Sequence, residues 1–171
     1  MSNEKTAANQ TVDNKAKEGK YLTFELGLES YGVEILKVQE IIGIMKVTHV
    51  PRMPDYVKGV INLRGKIIPV IDLRLKFGLE SKAETDKTCI IVLQVNTGNK
   101  QLIMGILVDE VSEVVDIKKN QIEDAPSFGT TVDIDFIMGM GKVGNKVIML
   151  LDVDKVLTKE EIKTLANAAK A

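Results

Sequence analysis

The chain has 171 residues, 44% of them hydrophobic and 27% charged, enough to bury a core in one domain or two small lobes. A net charge of −1, 4% aromatics and no Trp argue against a basic, base-stacking nucleic-acid surface. One cysteine, Cys89, excludes an intrachain disulfide, and no run approaches the ~18 apolar residues of a membrane-spanning helix.

Residues 1–19 are polar and without periodicity, so a mobile tail is expected. They hold no apolar signal-peptide core, which points to the cytoplasm. Leu22, Phe24 and Leu26 alternate as in a half-buried strand, and Tyr31–Ile35 reads as its partner after a Glu29-Ser30 turn. Val38, Ile41 and Ile42 have i, i+3, i+4 spacing, which predicts a short helix ended at Gly43. Ile44–Val50 is strand-like, and Pro51 and Pro54 punctuate the loop that follows.

Tyr56–Phe77 (YVKGVINLRGKIIPVIDLRLKF) reads as two apolar strands about an Arg64-Gly65 turn. Asp72 is placed to cap the short turn after them. Pro69 lacks an N–H and predicts an edge or a bulge. A polar linker, residues 79–88, follows. Cys89–Val95 and Leu102–Val108 are strands around an Asn96–Asn99 turn, and Cys89 reads as a buried, inert thiol. Asp109–Val115 parallels Lys37–Ile42 at an offset of 73 and is expected to share its helix.

Phe136–Leu157 repeats Tyr56–Phe77 eighty positions on, aligning Gly59 with Gly139, Lys66 with Lys146, Ile68 with Ile148 and Asp72 with Asp152. The seven extra residues of the second copy are expected in Glu123–Asp135, which holds Pro126, Phe128 and Gly129. Thr158–Glu161 is a capping-box pattern. It opens a C-terminal helix with Ile162, Leu165, Ala166 and Ala169 on one face.

The pattern predicts a mainly β fold: two similar five-stranded antiparallel β-barrel lobes, SH3-like, with short helices and a C-terminal helix. Repeat one spans about 21–78, repeat two about 89–157, and the helix 158–171. The groove between two such lobes is the expected binding place.

Enzyme chemistry is poorly supported. His49, the only histidine, reads as structural or surface rather than as a general base. Glu110 and Glu113, three apart on the expected helix, read as a solvated edge rather than an acid/base pair. Gly139–Gly144 does not match the phosphate-loop spacing, and Asp133, Asp135, Asp152 and Asp154 lack EF-hand spacing. No catalytic residue, metal or cofactor is expected. Arg64 is either a solvated turn residue or a contact to a partner. The second copy has Gly144-Asn145 at that tip, so the fold does not require an arginine there, which favours the contact.

YGVEILKVQEI followed by VKGVINLRGKIIPVIDLRLKF closely resembles the CheW-like domain family of bacterial chemotaxis coupling proteins, over about residues 20–165. The resemblance implies a two-barrel adaptor without catalytic activity or cofactor. It would join the cytoplasmic tip of a chemoreceptor (a methyl-accepting chemotaxis protein) to the regulatory domain of the histidine kinase CheA. It implies a cytoplasmic protein associated with receptor arrays through its partners, without nucleic acid or membrane insertion. By motif match, Val38, Glu40, Gly59 and Arg64 fall to the receptor contact, with Ile35 and Ile41 beside them. The kinase contact falls to Ile42, Ile44, Val47 and Pro51, and a ring contact to Phe128. Some relatives carry Arg where this chain has Glu123, so the ring contact implies a different charge pairing here. A small barrel enzyme or ligand binder, with His49 beside a carboxylate, is the alternative from another class. A fused CheV-type coupler or the kinase's own regulatory end is a variant of the first reading, and the stand-alone coupler is favoured over it.

Overall fold

The computed structural model describes residues 16–124 and 136–170. Strands β1 (Gly19–Leu26) and β2 (Glu29–Glu34) lead through a 3₁₀ turn, Ile35–Lys37, into β3 (Val38–Gly43). The hairpin β4 (Val57–Leu63) and β5 (Lys66–Asp72) ends in the one-turn helix α1 (Leu73–Lys76). Next come β6 (Cys89–Asn96), β7 (Gln101–Val108) and β8 (Glu110–Ile117), a 3₁₀ turn Lys119–Gln121, and the short β9 (Ile122–Glu123). The second hairpin, β10 (Ile137–Val143) and β11 (Lys146–Leu151), precedes helix α2 (Lys159–Lys170).

The mainly β class and the two-lobed plan hold, with differences in detail. Among the described residues there is one six-stranded sheet, β8-β1-β2-β11-β10-β9, and one five-stranded sheet, β3-β6-β7-β5-β4. Neither is a continuous closed barrel. Each contains one parallel pair, β2 with β11 and β5 with β7, so the lobes are not purely antiparallel. The two sheets also do not coincide with the two sequence repeats. Hairpin β1–β2 joins the late strands β8–β11, while β6–β7 joins β3, β4 and β5. The exchange is reciprocal.

The two expected helices at Val38–Ile42 and Asp109–Val115 are strands β3 and β8. A bulge explains the misleading period. Val38 lies opposite Leu93 and Ile41 opposite Ile91, with two residues facing Val92 between them. Val111 lies opposite Phe24 and Val114 opposite Leu22, with the same irregularity. The extra residue puts positions three apart on one face, which imitates helical spacing. Their β-branched side chains suit the pleated surface better than a helix. Glu110 and Glu113 accordingly lie on a strand and share no helix face. Ile44–Val50 is not a strand either; only Thr48 forms a bridge, to Val60.

That bridge has a counterpart in Glu123 opposite Met140. Two of the seven extra residues therefore fall before Glu123 and five after it, rather than all within Glu123–Asp135. Each repeated motif is closed by the same bond. The Asp72 N–H donates to the Tyr56 carbonyl at 2.7 Å, and the Asp152 N–H to the Phe136 carbonyl at 2.8 Å. Asp72 caps α1 as expected, accepting from the Arg74 and Leu75 N–H groups. Pro69 sits within β5, opposite Val60.

The largest core cluster lies between the sheets and draws on both. It joins Leu22, Phe24 and Val33 to Ile71, Ile91, Leu93 and Ile106. The space between the sheets is thus a filled core rather than an open groove. A smaller cluster (Ile61, Ile68, Val70, Ile90, Val92) fills the other face of the five-stranded sheet, and another (Tyr21, Ile117, Ile148, Leu150) that of the six-stranded sheet. A run of rings crosses between the halves: Phe24 on Tyr31, Tyr31 on Phe77, and Phe77 on Phe136 at 4.9 Å. Cys89 is buried, and burial raises its thiol pKa.

Helix α2 docks through Leu165, fully buried in the shared cluster. The capping box is formed: the Thr158 N–H donates to Glu161 Oε1 and the Glu161 N–H to Thr158 Oγ1. The same carboxylate accepts from Lys76 Nζ at 2.7 Å, and that ammonium lies 4.8 Å from the centre of the Tyr56 ring. Burial opposes ionisation of Glu161, but Lys76, the Thr158 N–H and the Tyr56 hydroxyl outweigh it and hold the carboxyl at about 2. A carboxylate depressed in the folded state contributes stability above its ordinary pKa and loses it as pH falls toward the folded value. Urea midpoints of the wild type and Glu161→Gln should therefore differ at neutral pH. The gap should shrink below about 4.5 and close near 2. A constant gap from neutral to acid would show that the charge is not involved.

Candidate functional site

The tip of hairpin β4–β5 has two residues at positive φ, Arg64 at 51° and Gly65 at 89°. That is the type I′ signature, in which Asn or Gly is the usual first residue. The equivalent tip places only Gly144 at positive φ, 61°, with Asn145 outside that region, as in a type II′ turn. An arginine therefore occupies a backbone position that L-residues avoid. The Gly65 N–H donates to Asn62 Oδ1 at 2.8 Å, which helps hold the tip.

The Arg64 guanidinium meets the Glu40 carboxylate with both terminal nitrogens, Nη2 on Oε1 and Nη1 on Oε2. Hydrogen bonding from Arg64 lowers the Glu40 pKa, and hydrogen bonding to Glu40 raises that of Arg64. Strands β3 and β4 are opposite edges of the five-stranded sheet. The ion pair therefore reaches from one edge to the hairpin of the other. The Thr48–Val60 bridge ties the segment after β3 to the same hairpin, with N–H···O distances of 2.8 and 2.9 Å. Beside the pair is a cavity of about 270 Å³, lined by Gln39, Glu40, Leu63, Arg64, Lys66, Ile68 and Ile103.

The other expected receptor-contact residues spread around this point. Gly59, at φ 145°, lies under the Thr48 carbonyl, and a Cβ there would stand 2.1 Å from that oxygen. Its glycine is thus required by close backbone approach. Val38 is partly buried against the shared core, on the face of β3 that carries Ile41, whereas Glu40 and Ile42 occupy the other face. Ile41 is 45% exposed. Ile35, on the 3₁₀ turn, lines a separate cavity of about 400 Å³ with Lys17–Tyr21, Glu34 and Leu36. Within the expected set, Glu40 and Arg64 are joined by hydrogen bonds and an ion pair.

Among the expected kinase-contact residues, Ile42 and Val47 pack partly against the inner cluster of the five-stranded sheet. Ile44 and Pro51 are exposed on the segment between β3 and β4. Phe128 lies outside the described residues. Glu123 accepts from Lys142 Nζ at 2.6 Å, so its charge already has a partner within the chain.

Gln39, Leu63, Lys66, Ile68 and Ile103 belong to the Arg64 cavity but lie outside the expected set. Leu63 and Lys66 flank the turn in sequence, and that adjacency was the available signal. Ile103 arrives from β7 through sheet topology, for which no local pattern exists. His49 is exposed on the β3–β4 segment. Among the described residues there is no group of three or more His, Cys, Asp or Glu placed to hold a metal. No helix among them is long and apolar enough to cross a membrane.

A family model described as a CheW-like domain matches residues 20–161. A chemotaxis protein CheW from Klebsiella aerogenes is 44% identical over 151 residues, covering 88% of this chain and 89% of that relative. A chemotaxis protein CheW from Helicobacter pylori is 32% identical over 157 residues, covering 92% of each. The crystal structure of the scaffolding protein TtCheW from Thermoanaerobacter tengcongensis superposes with a TM-score of 0.72 at 35% identity, covering 81% of this chain and 92% of that one. With the family model spanning most of the chain and the two-sheet fold shared, the chain belongs to the CheW-like domain family.

Proposed function

We propose that this chain is a non-catalytic adaptor that couples the cytoplasmic tips of chemoreceptors to the regulatory domain of the histidine kinase CheA. The adaptor role in chemotaxis rests on its relatives, which are named chemotaxis proteins CheW, and on its structural likeness to a scaffolding protein. The observation that carries the receptor contact is the Arg64–Glu40 pair. An arginine is held at a turn position that glycine fills in the second copy, and its side chain is 71% exposed. Glu40 fixes the guanidinium at the mouth of the cavity, and the remaining N–H donors are free to meet a carboxylate or the carbonyl end of a receptor helix. Exposed Ile41 and partly buried Val38 supply apolar contact nearby. An exposed His49 gives no support to the enzyme alternative.

The test is to mix the protein with CheA and a receptor cytoplasmic fragment and follow complex formation and kinase activity. Binding to neither partner would sink the proposal. Arg64→Gly separates coupling from folding. Glycine relieves the positive φ, so the melting temperature should hold or rise while receptor coupling falls. A large drop in melting temperature would mean that the pair serves the fold instead.

A further inference from the structure

Away from the Arg64 tip, a cleft of about 590 Å³ opens between the β6–β7 turn and helix α2. One wall is Asn96, Thr97, Gly98 and Lys100. The other is the helix face of Lys159, Ile162, Lys163, Ala166 and Asn167, whose spacing is that of a single helical stripe. Ile162 and Ala166 give it apolar contact surface over the buried Leu157, and Lys100, Lys159 and Lys163 its charge.

The charges are unbalanced. Among the described residues, none of these three lysines has an ion pair. The lining carboxylate, Asp154, is already engaged. It accepts from Lys37 Nζ at 3.0 Å and from the Asn96 N–H at 2.8 Å. Lys159 also sits where the helix itself disfavours it. It is the first residue of α2, next to the positive end of the helix dipole, where an acidic side chain would be stabilising. The apolar residues of the helix are divided too: Leu165 is buried in the core, whereas Ala166 and part of Ile162 face the cleft.

We propose that this cleft docks an acidic amphipathic segment of a partner protein, with its apolar side chains on Ile162 and Ala166 and its carboxylates on the three lysines. Charge complementarity selects that occupant. Residues 1–15 carry Glu4 and Asp13 against Lys5 and Lys15, so the chain's own N-terminal segment brings no net negative charge. The cleft lining has no aromatic ring on which a nucleic-acid base would stack. The assignment is independent of the receptor contact at Arg64.

The probe is a short synthetic helical peptide with Leu on one face and Glu flanking it, followed by amide NMR of the full chain. The expected result is shifts confined to Thr97–Lys100 and Lys159–Asn167, with affinity falling as salt is raised. Lys100→Glu/Lys159→Glu/Lys163→Glu should lose about tenfold or more in affinity and gain binding to the same peptide with Lys for Glu. The single change Lys159→Glu should weaken binding while leaving the melting temperature unchanged or higher, which a merely structural lysine would not do. Shifts elsewhere, or equal binding of both peptides, would overturn the proposal. So would deletion of residues 1–15 shifting the same amides without peptide, which assigns the cleft to the chain itself. Lysine-dependent binding to anionic phospholipid vesicles, with no response to the peptide, would assign it to a membrane surface and also overturn it.

Discussion

Gly59→Ala is expected to destabilise the protein by roughly 3 kcal/mol or more, combining backbone strain with overpacking. The added Cβ would stand 2.1 Å from the Thr48 carbonyl oxygen and 2.8 Å from Val47 Cγ1. Neither contact is tolerable, and the φ of 145° is itself unfavourable for alanine. Relief requires the 47–48 segment to lift, which breaks both hydrogen bonds between Thr48 and Val60. Two controls grade the effect. At Gly65 a Cβ meets nothing within 4 Å, so only the φ of 89° opposes alanine, at about 1–2 kcal/mol. At Gly139 a Cβ would lie 2.9 Å from the Glu123 carbonyl oxygen at an ordinary φ, so its cost should fall below that of Gly59. Urea denaturation of the three variants gives the ranking. Equal midpoints for Gly59→Ala and Gly65→Ala would refute the close approach.

Asp109→Ala is the second large effect, at about 3 kcal/mol, the range for stranding one member of a largely buried ion pair. Arg74 Nη1 meets Asp109 Oδ2 at 2.6 Å, with side-chain exposures of 16% and 11%. The same oxygen accepts from the Gly27 N–H at 2.9 Å, and Arg74 Nε donates to the Glu80 carbonyl at 2.8 Å. The carboxylate thus gathers α1, the β1–β2 turn and the β7–β8 junction, where the chain passes from one sheet to the other. Arg74→Ala should cost less, because Lys82 Nζ still lies 4.0 Å from the same Asp109 oxygen, and the double variant clearly less than the two together, because the two side chains share one contact. Additive losses would show that the two side chains act separately.

The repeat was legible in the sequence because its two copies carry the same glycines, aspartates and apolar alternation. That was enough to place both hairpins and the Asp72 cap, while the spacing of Thr158 and Glu161 placed the capping box of α2. The strands β3 and β8 were misread because one extra residue in each shifts an alternating pattern to a period of three. The reciprocal exchange of β1–β2 and β6–β7 left no local mark, since either pairing buries the same alternating faces. At the site, the departure of Arg64-Gly65 from Gly144-Asn145 singled out the tip. Its pairing with Glu40 depends on how the five-stranded sheet curls, which no spacing in the chain encodes.

The exchanged hairpins make the molecule the covalent form of two interlocked half-chains. Neither half holds a complete sheet: the first lacks β6 and β7 from between β3 and β5, and the second lacks β1 and β2 from between β8 and β11. Cutting the connection at residues 79–88 would sever the polypeptide without separating the lobes. Losing either half would leave the other with exposed strand edges and half of the shared core. The two lobes therefore stand or fall together, and a change that unfolds one of them is not confined to the contacts that lobe makes.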